Sequence, residues 1–283
     1  MSWQRVAFEP RGPIKAVTRG ADGAWVLAGG DSDTHVLFVP VAGEPQRRHR
    51  VRRHLTRARA YDDGTVYAVG PGRVLVGHDG GWVDDEIPEL DVRDIWCADH
   101  IYVLAEHELL YFDGRWHTVH LFDAGLDGDW AAGDGVGADN VIVGIRGTHS
   151  CMARGSAANW TRDGSGSWYH YHVRVGPTRA FATGGDGLWR REAGSWVEHG
   201  PYNDRRHYLR TPIALDLVGD TPFVIAALAL ESPRLRLATF DGAWRVFAWP
   251  SAAHVGGVVA CRMPDGSILA GDNLGVLWRL PAT

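Results

Sequence analysis

The chain has little cysteine and almost no lysine. Only three cysteines, Cys97, Cys151 and Cys261, occur in 283 residues, and they lie far apart in the sequence. A chain of this length needs no disulfide framework to fold, so their number and spacing indicate reduced thiols and a cytoplasmic protein. Lys15 is the single lysine among 29 basic residues, a bias that suggests a GC-rich bacterial genome.

Long apolar runs are also absent. No segment approaches the roughly eighteen consecutive apolar residues of a membrane span, and the opening residues have neither the apolar core nor the cleavage site of a signal peptide. We therefore expect neither export nor membrane insertion. With 45% hydrophobic residues, 22% charged residues and a formal net charge of -5, the composition excludes disorder and does not favour general polyanion binding.

A short motif, Asp-Gly-x-Trp or a close variant, recurs at intervals of about forty residues. It is found at Asp79–Trp82, Asp113–Trp116, Asp241–Trp244 and, without the acid, Ala193–Trp196. Asp-Gly favours the positive φ angles of a two-residue hairpin, so each motif predicts a turn into a strand that begins near the tryptophan. No stretch has sustained helical periodicity. A strand-rich repeat of this length predicts a β-propeller with one four-stranded blade per repeat.

The spacing of the tryptophans predicts seven antiparallel blades in one domain over residues 1–283, since 283/7 is about 40 residues. We further predict that a strand within residues 2–9 completes the last blade and closes the ring, which removes two open sheet edges. The approximate blades are 14–53, 57–87, 92–121, 130–163, 172–199, 213–249, and 255–280 with 2–9.

One segment carries a family resemblance. Residues Tyr67–Trp82 resemble one repeat of the BNR-like, Asp-box-related propellers, which include sialidase-type domains and photosystem assembly-factor propellers. The resemblance extends over most of the chain as a degenerate pattern, and it implies the β-propeller fold. The Ser and Thr of the full Asp box are missing at every turn, and no set of arginines matches a sialidase carboxylate clamp. The resemblance therefore does not imply sialidase activity.

Loops at one end of a propeller are the first candidate binding site. The predicted turns between second and third strands and the connections between blades converge there on a rigid scaffold. Any one of these side chains could instead be an ordinary turn residue, because Asp and Asn are favoured in turns for backbone reasons. The predicted rim residues are Arg93, Glu106, His107, Asp129, Arg146, His149, Asp186, His207, His254, Asp272 and Asn273.

Two pairs of potential metal ligands have a spacing that suits a shared strand face. His170 with His172, and His149 with Cys151, are two residues apart and so share one face of a strand. A zinc site needs three or four converging ligands, and neither pair has a third partner nearby in the sequence. We predict neither a metal nor a cofactor.

Arginines are concentrated in one short segment. Seven of them fall within the thirteen residues 47–59 of a chain that is acidic overall. Guanidinium groups bind carboxylates and phosphates in bidentate fashion, so this segment could hold an acidic partner. Charges on an outer strand also prevent edge-to-edge aggregation, which is the alternative. The aromatic residues of a single-stranded nucleic-acid groove are missing. The predicted basic edge consists of Arg47, Arg48, Arg50, Arg52 and Arg53.

Three classes of function follow. The first is a non-catalytic interaction module that binds a protein or peptide through the rim loops or the basic edge, as a monomer unless held in a hetero-complex, without nucleic acid or membrane. The second is a glycan-binding propeller that uses some of the 13 Trp and 8 Tyr as stacking platforms. The third is a hydrolase or lyase with an acid and a base in a central channel, for which Asp94, Asp129, Asp186 and Asp272 are candidates. We favour the first.

Overall fold

A computed structural model describes most of the chain. The described residues are 2–9, 12–78, 81–105, 108–120, 129–136, 141–146, 151–157, 159–165, 170–184, 187–198, 210–218, 220–228, 236–241, 243–250 and 257–282. The chain divides into two compact units. The first unit consists of Met1–Val92 and Trp249–Thr283, and the second of Arg93–Ala248.

Regular structure in the described residues is β-strand, without α-helix. The strands are β1 (Gln4–Val6), β2 (Ile14–Arg19), β3 (Gly23–Ala28), β4 (Thr34–Pro40), β5 (Gln46–Val51), β6 (Arg57–Ala60), β7 (Val66–Gly70), β8 (Arg73–His78), β9 (Gly81–Glu86), β10 (Val92–Cys97), β11 (Ile101–Ala105), β12 (Glu108–Phe112), β13 (Trp116–His120), β14 (Asp129–Gly135), β15 (Val141–Arg146), β16 (Cys151–Ser156), β17 (Asn159–Ser165), β18 (His170–Val175), β19 (Ala180–Gly184), β20 (Leu188–Glu192), β21 (Ser195–Glu198), β22 (Arg210–Val218), β23 (Thr221–Leu228), β24 (Arg236–Phe240), β25 (Trp244–Ala248), β26 (Val258–Arg262), β27 (Ile268–Asp272) and β28 (Leu277–Leu280).

These strands pair into four-stranded antiparallel sheets. In the described residues of the first unit the sheet orders are β2-β3-β4-β5, β6-β7-β8-β9 and β1-β28-β27-β26. In those of the second unit they are β10-β11-β12-β13, β14-β15-β16-β17, β18-β19-β20-β21 and β22-β23-β24-β25. Each sheet except the one that holds β1 is a simple meander, which is what short hairpin turns between sequential strands produce.

The N-terminal strand completes the C-terminal sheet, as the sequence predicted. Gln4 lies opposite Arg279 and Val6 opposite Leu277, so β1 is the outer neighbour of β28. The Trp3 ring meets Trp249 edge-on at 5.1 Å between centroids. The paired segment, Gln4–Val6, is shorter than the predicted range. This pairing joins sequence positions at opposite ends of the chain, so its loss would expose the edge of β28.

Apolar cores lie between successive sheets within each unit. In the first unit, one core is shared by the sheets of β2–β5 and β26–β28, and a second is shared by those of β2–β5 and β6–β9. In the second unit, Trp96, Tyr102 and Trp160 belong to a core shared by the sheets of β10–β13 and β14–β17. Among the strands whose side chains are described, β3, β11, β19 and β27 lie in the middle of their sheets and are the most buried, because both of their faces are covered.

Polar side chains on the first strands also join one sheet to the next. Thr18 accepts a hydrogen bond at Oγ1 from the Ala60 amide at 3.2 Å. Asp94 accepts one from the Gly133 amide at 3.3 Å, and Asp134 accepts one from the Val175 amide at 2.8 Å. Each bond satisfies a main-chain donor of the first strand in the following sheet, so these side chains fix how neighbouring sheets pack.

Three of the repeated tryptophans, Trp82, Trp160 and Trp196, pack against the apolar cores, and glycines make room for two of them. Gly77 lies opposite Trp82, and Gly155 opposite Trp160, across antiparallel strand pairs. A Cβ added at Gly77 would lie 2.0 Å from the Trp82 ring, and one at Gly155 would lie 2.9 Å from the Trp160 ring. These tryptophans pack against residues of the preceding sheet in each case. Their contacts are those of structural residues.

Candidate interaction surface

Strand β5 carries the basic edge on the outside of its sheet. Arg47, Arg48 and Arg50 lie on the strand, and Arg52 and Arg53 follow it directly; all five are exposed. It is an edge strand of its sheet, because only β4 pairs with it. Arg59 differs from this group: it lies on β6 with 8% exposure, so it is not part of the surface.

Only Arg50 in this group has an ion pair in the part of the chain that the structure describes. Its Nε and Nη2 donate to one carboxylate oxygen of Asp33 at 3.1 and 2.9 Å. The same oxygen lies 3.4 Å from Nε2 of His35. Burial lowers the pKa of His35, which outweighs the opposing attraction of Asp33, so the imidazole is neutral near pH 7 and leaves the Asp33 charge to Arg50.

Two other contacts order the side chains of β5. The guanidinium of Arg48 lies 5.5 Å from the centroid of the Phe38 ring, in a cation–π arrangement. His49 stacks on Trp82 of β9 with 5.2 Å between ring centroids and 12° between planes. Burial lowers the pKa of His49, which also favours the neutral ring. The inward side chains therefore hold the strand in place while the arginines remain in solvent.

The outer strand of the next sheet has the opposite charge. Strand β9 ends in Asp84, Asp85 and Glu86. Arg73, on the adjacent β8, lies 3.7 Å from Asp84 and 2.9 Å from Glu86. This strand therefore has its counter-charge within its own sheet. The basic edge has a single compensating carboxylate, Asp33, among the described residues.

The predicted rim residues are only partly described. Arg93 is the second residue of β10, Asp272 is the last residue of β27 and Asn273 follows it exposed. The backbone of Asp129 begins β14 and that of Arg146 ends β15, but their side chains lie outside what the structure describes. The remaining predicted rim residues fall outside the described residues altogether: Glu106, His107, His149, Asp186, His207 and His254. The rim therefore stays a prediction.

Two of the carboxylates considered as an acid or a base accept hydrogen bonds from the main chain. One oxygen of Asp94 accepts from the Ile95 amide at 2.9 Å and the other from Gly133. Asp272 is fully buried, and its Oδ1 accepts from the Leu274 and Val276 amides at 3.0 Å each. These bonds shape a sheet junction and a hairpin turn. Of the other two candidates, Asp129 has no described side chain and Asp186 lies outside the described residues.

A polar cluster in the second unit was not predicted from the sequence. Asp99 accepts hydrogen bonds from Tyr102 at 2.8 Å and from Ser156, and the Tyr102 hydroxyl accepts from the Ala157 amide at 3.1 Å. Burial acts to raise the pKa of Asp99, but the bonds from Ser156 and Tyr102 prevail and leave that pKa lowered. Burial raises the pKa of Tyr102 to about 12. The cluster joins two sheets by hydrogen bonds, because Asp99 follows β10 of one sheet and Ser156 ends β16 of the next.

A groove of about 840 Å³ lies beside the N-terminal strand of the first unit. It is lined by β1, by the turn of Gly43, Glu44 and Pro45 that leads into β5, and by part of β28. Arg279 in its wall already donates to Asp265 at 2.6 Å and to the Val41 carbonyl at 2.6 Å. The groove carries both charge signs, so it favours no single class of ligand.

Neither Cys97 nor Cys261 forms a disulfide among the described residues. Among the residues that the structure describes, no three His, Cys, Asp or Glu side chains cluster closely enough to hold a metal ion. In the same residues there is no helix with the length and apolar character to cross a membrane.

Comparisons with known proteins identify the architecture. No family model matches the chain, and no curated protein matches it in sequence. Virginiamycin B lyase from Staphylococcus aureus, in a catalytically inactive form with quinupristin, is similar over 100% of this chain and 99% of its own at 10% identity, with a TM-score of 0.71. The Cps50 (Swd1) β-propeller domain of Myceliophteria thermophila covers 100% of both chains at 10% identity, with a TM-score of 0.70.

A third solved structure, the WD40 β-propeller domain of Doa1, is similar over 98% of this chain and 96% of its own at 9% identity, with a TM-score of 0.65. Together with the sheet topology, these similarities show an all-β propeller with four-stranded antiparallel blades. Identities of 9 and 10% establish a fold and no activity, since propellers serve many functions.

Proposed function

We propose that this protein is a non-catalytic interaction module that binds a protein or peptide partner through the basic edge. In this proposal the described four-stranded sheets are blades of one seven-bladed ring that works as a rigid scaffold in a bacterial cytoplasm. The observation that carries the proposal is the charge balance of β5: five exposed arginines share one compensating carboxylate among the described residues. An ordered arginine without an ion pair is well placed to bind an acidic protein surface, because its planar guanidinium group binds carboxylates bidentately.

The aggregation-blocking role of such charges does not account for their number. A single lysine or arginine discourages edge pairing, whereas adjacent like charges repel each other and lower stability slightly. Two of these arginines are also oriented, Arg48 by the Phe38 ring and Arg50 by Asp33. Ordering a long side chain costs conformational entropy, so an ordered cationic strand fits a recognition role better than a merely soluble edge.

A charge-reversal experiment tests the proposal. The edge variant carries Arg47→Glu and Arg48→Glu. The control variant carries Arg162→Glu and Arg236→Glu, at two exposed arginines of the second unit that give the same change in net charge. We expect wild type and the control variant to retain the same partner from an extract of the host cell, and the edge variant to lose it.

Thermal melting of the three proteins accompanies the retention assay, because a loss of partner is informative only if the edge variant is folded. We expect equal melting temperatures within a few degrees, since surface substitutions of this kind change stability little. Retention of the partner by a folded edge variant would contradict the proposal and move the interface to the rim.

A further inference from the structure

The outer side of β5 has main-chain groups that no strand of the sheet uses. The strand pairs with β4 through Thr34 opposite Val51, His35 opposite Arg50 and Val36 opposite His49. No strand in the described residues pairs with its other side. An edge of this kind is a template for an added strand, which supplies affinity through main-chain hydrogen bonds and specificity through side chains.

Arginines flank this edge on both faces of the sheet. Arg47 lies opposite Leu37, and Arg50 lies opposite His35, so both project on the face of those two residues. Arg48 occupies the irregular position where the register shifts, and its guanidinium lies over the Phe38 ring on the other face. Because successive side chains of a strand alternate between faces, an added strand would meet guanidinium groups along both of its own faces.

The neighbouring outer strand, in the same unit, has a larger share of its charge compensated. Strand β9 is equally exposed along its length, yet Arg73 lies close to two of its three carboxylates. Nothing comparable compensates Arg47, Arg52 or Arg53 among the described residues. Free main-chain groups are a property of every outer strand, whereas β5 has more uncompensated charge than β9.

We infer that the partner contributes an acid-rich extended segment that adds to β5 as a fifth strand of this sheet. This inference rests on the proposed function, and it specifies the chemistry and the geometry of the contact. Main-chain bonds align the segment along Gln46–Val51, and its Asp or Glu side chains pair with arginines on both faces. The occupant belongs to another protein, because the acidic strand of this chain, β9, is already paired with Arg73.

The test uses a labelled synthetic peptide of about nine residues with the repeat Glu-Glu-Val, a length typical of a strand, which places acids on both faces. A second peptide carries an N-methyl group on every backbone nitrogen. N-methylation removes the hydrogen-bond donors along both edges and keeps the charge. We expect wild type to bind the parent peptide at least about tenfold more tightly than the N-methylated peptide, because strand addition needs main-chain hydrogen bonds.

Salt and charge reversal complete the test. Raising the salt from about 50 to about 300 mM weakens parent binding by about tenfold if the contact is ionic, and the edge variant loses binding while the control variant keeps it. Equal binding of the parent and the N-methylated peptide overturns strand addition but leaves the proposed function standing, provided that the edge variant still loses its cellular partner. No binding of the parent peptide also overturns the inference.

Two other occupants would overturn the inference as well. If wild type forms dimers in sedimentation analysis, and if Asp84→Arg with Asp85→Arg dissociates them, a second copy of this chain occupies the edge. If a single-stranded oligonucleotide of matched charge binds more tightly than the peptide and competes with it, the edge is a nucleic-acid surface.

Discussion

Strands β5 and β9 are the outer strands of adjacent sheets. They carry charges of opposite sign, which nearby residues compensate to different extents. Strand β9 has three acids near its end, and Arg73 of β8 lies near two of them, so its charge is partly compensated within its own sheet. Strand β5 has its arginines in solvent, and Asp33 alone compensates them within the described residues. The two strands touch through the His49–Trp82 stack. We propose that charge density by itself does not mark a recognition surface, and that a shortage of counter-charge in the surrounding sheet does.

Removing the glycine beneath Trp82 should have the largest effect on this pair of strands. In Gly77→Ala the new Cβ would lie 2.0 Å from the Trp82 ring, so the ring must shift and the stack with His49 is lost. We expect the free energy of unfolding to fall by about 1–3 kcal/mol in urea denaturation. The matched control is Gly30→Ala, because no atom lies within 4 Å of a Cβ there. Similar stability of the two variants would show that Gly77 is not needed for the ring.

Neutralising one arginine at a time should affect stability differently in the sheet of β9 and in that of β5. Arg73→Gln removes the counter-charge of β9 and should lower the free energy of unfolding by about 0.2–1 kcal/mol, as for other surface ion pairs. Arg52→Gln removes a charge without an ion pair in the described residues and should leave stability unchanged or raise it slightly. Chemical denaturation at low salt measures both. A loss of stability in Arg52→Gln as large as that in Arg73→Gln would contradict the comparison.

The smallest expected effect is a pH dependence that arises beside β5. Burial lowers the pKa of His35, which faces Asp33, Arg50 and Arg47, and burial lowers that of His49, which faces Asp84. Both rings therefore take up a proton at lower pH in the folded protein than in the unfolded chain, which takes up their protons below about pH 6.5. The unfolded state then binds more protons, so the free energy of unfolding falls as the pH is lowered from 7 towards 5.

The double variant His35→Gln and His49→Phe tests this assignment, since phenylalanine preserves the stack on Trp82. We expect its free energy of unfolding to vary less between pH 7 and pH 5 than that of wild type, measured by urea denaturation at each pH. An unchanged slope would assign the pH dependence to other groups.

The sequence predicted the strand content, the hairpins at the tryptophan motifs and the pairing of the N-terminal strand with the last sheet. These features depend on local turn chemistry and on a repeat, both of which are visible in a linear sequence. The arrangement of all sheets as one ring of seven blades stays a prediction, and so does the BNR-like grouping.

Other features depend on pairs of residues that only the folded chain brings together. Asp94 and Asp272 read as possible acids in the sequence, but they bind main-chain amides. The burial of Arg59 also had no sequence signal, since it continues a run of exposed arginines. The glycines that accommodate tryptophan do have a sequence signal, because Gly77 and Gly155 each precede their tryptophan by five residues.

The central claim is that an acid-rich segment lies along β5, and hydrogen exchange read by mass spectrometry tests it most directly. Wild type is compared with and without a saturating amount of the Glu-Glu-Val peptide. The account predicts slower exchange in fragments that cover residues 46–53 and no change in those that cover residues 81–86. Protection at residues 81–86, or no protection at residues 46–53 while the peptide is bound, would contradict it.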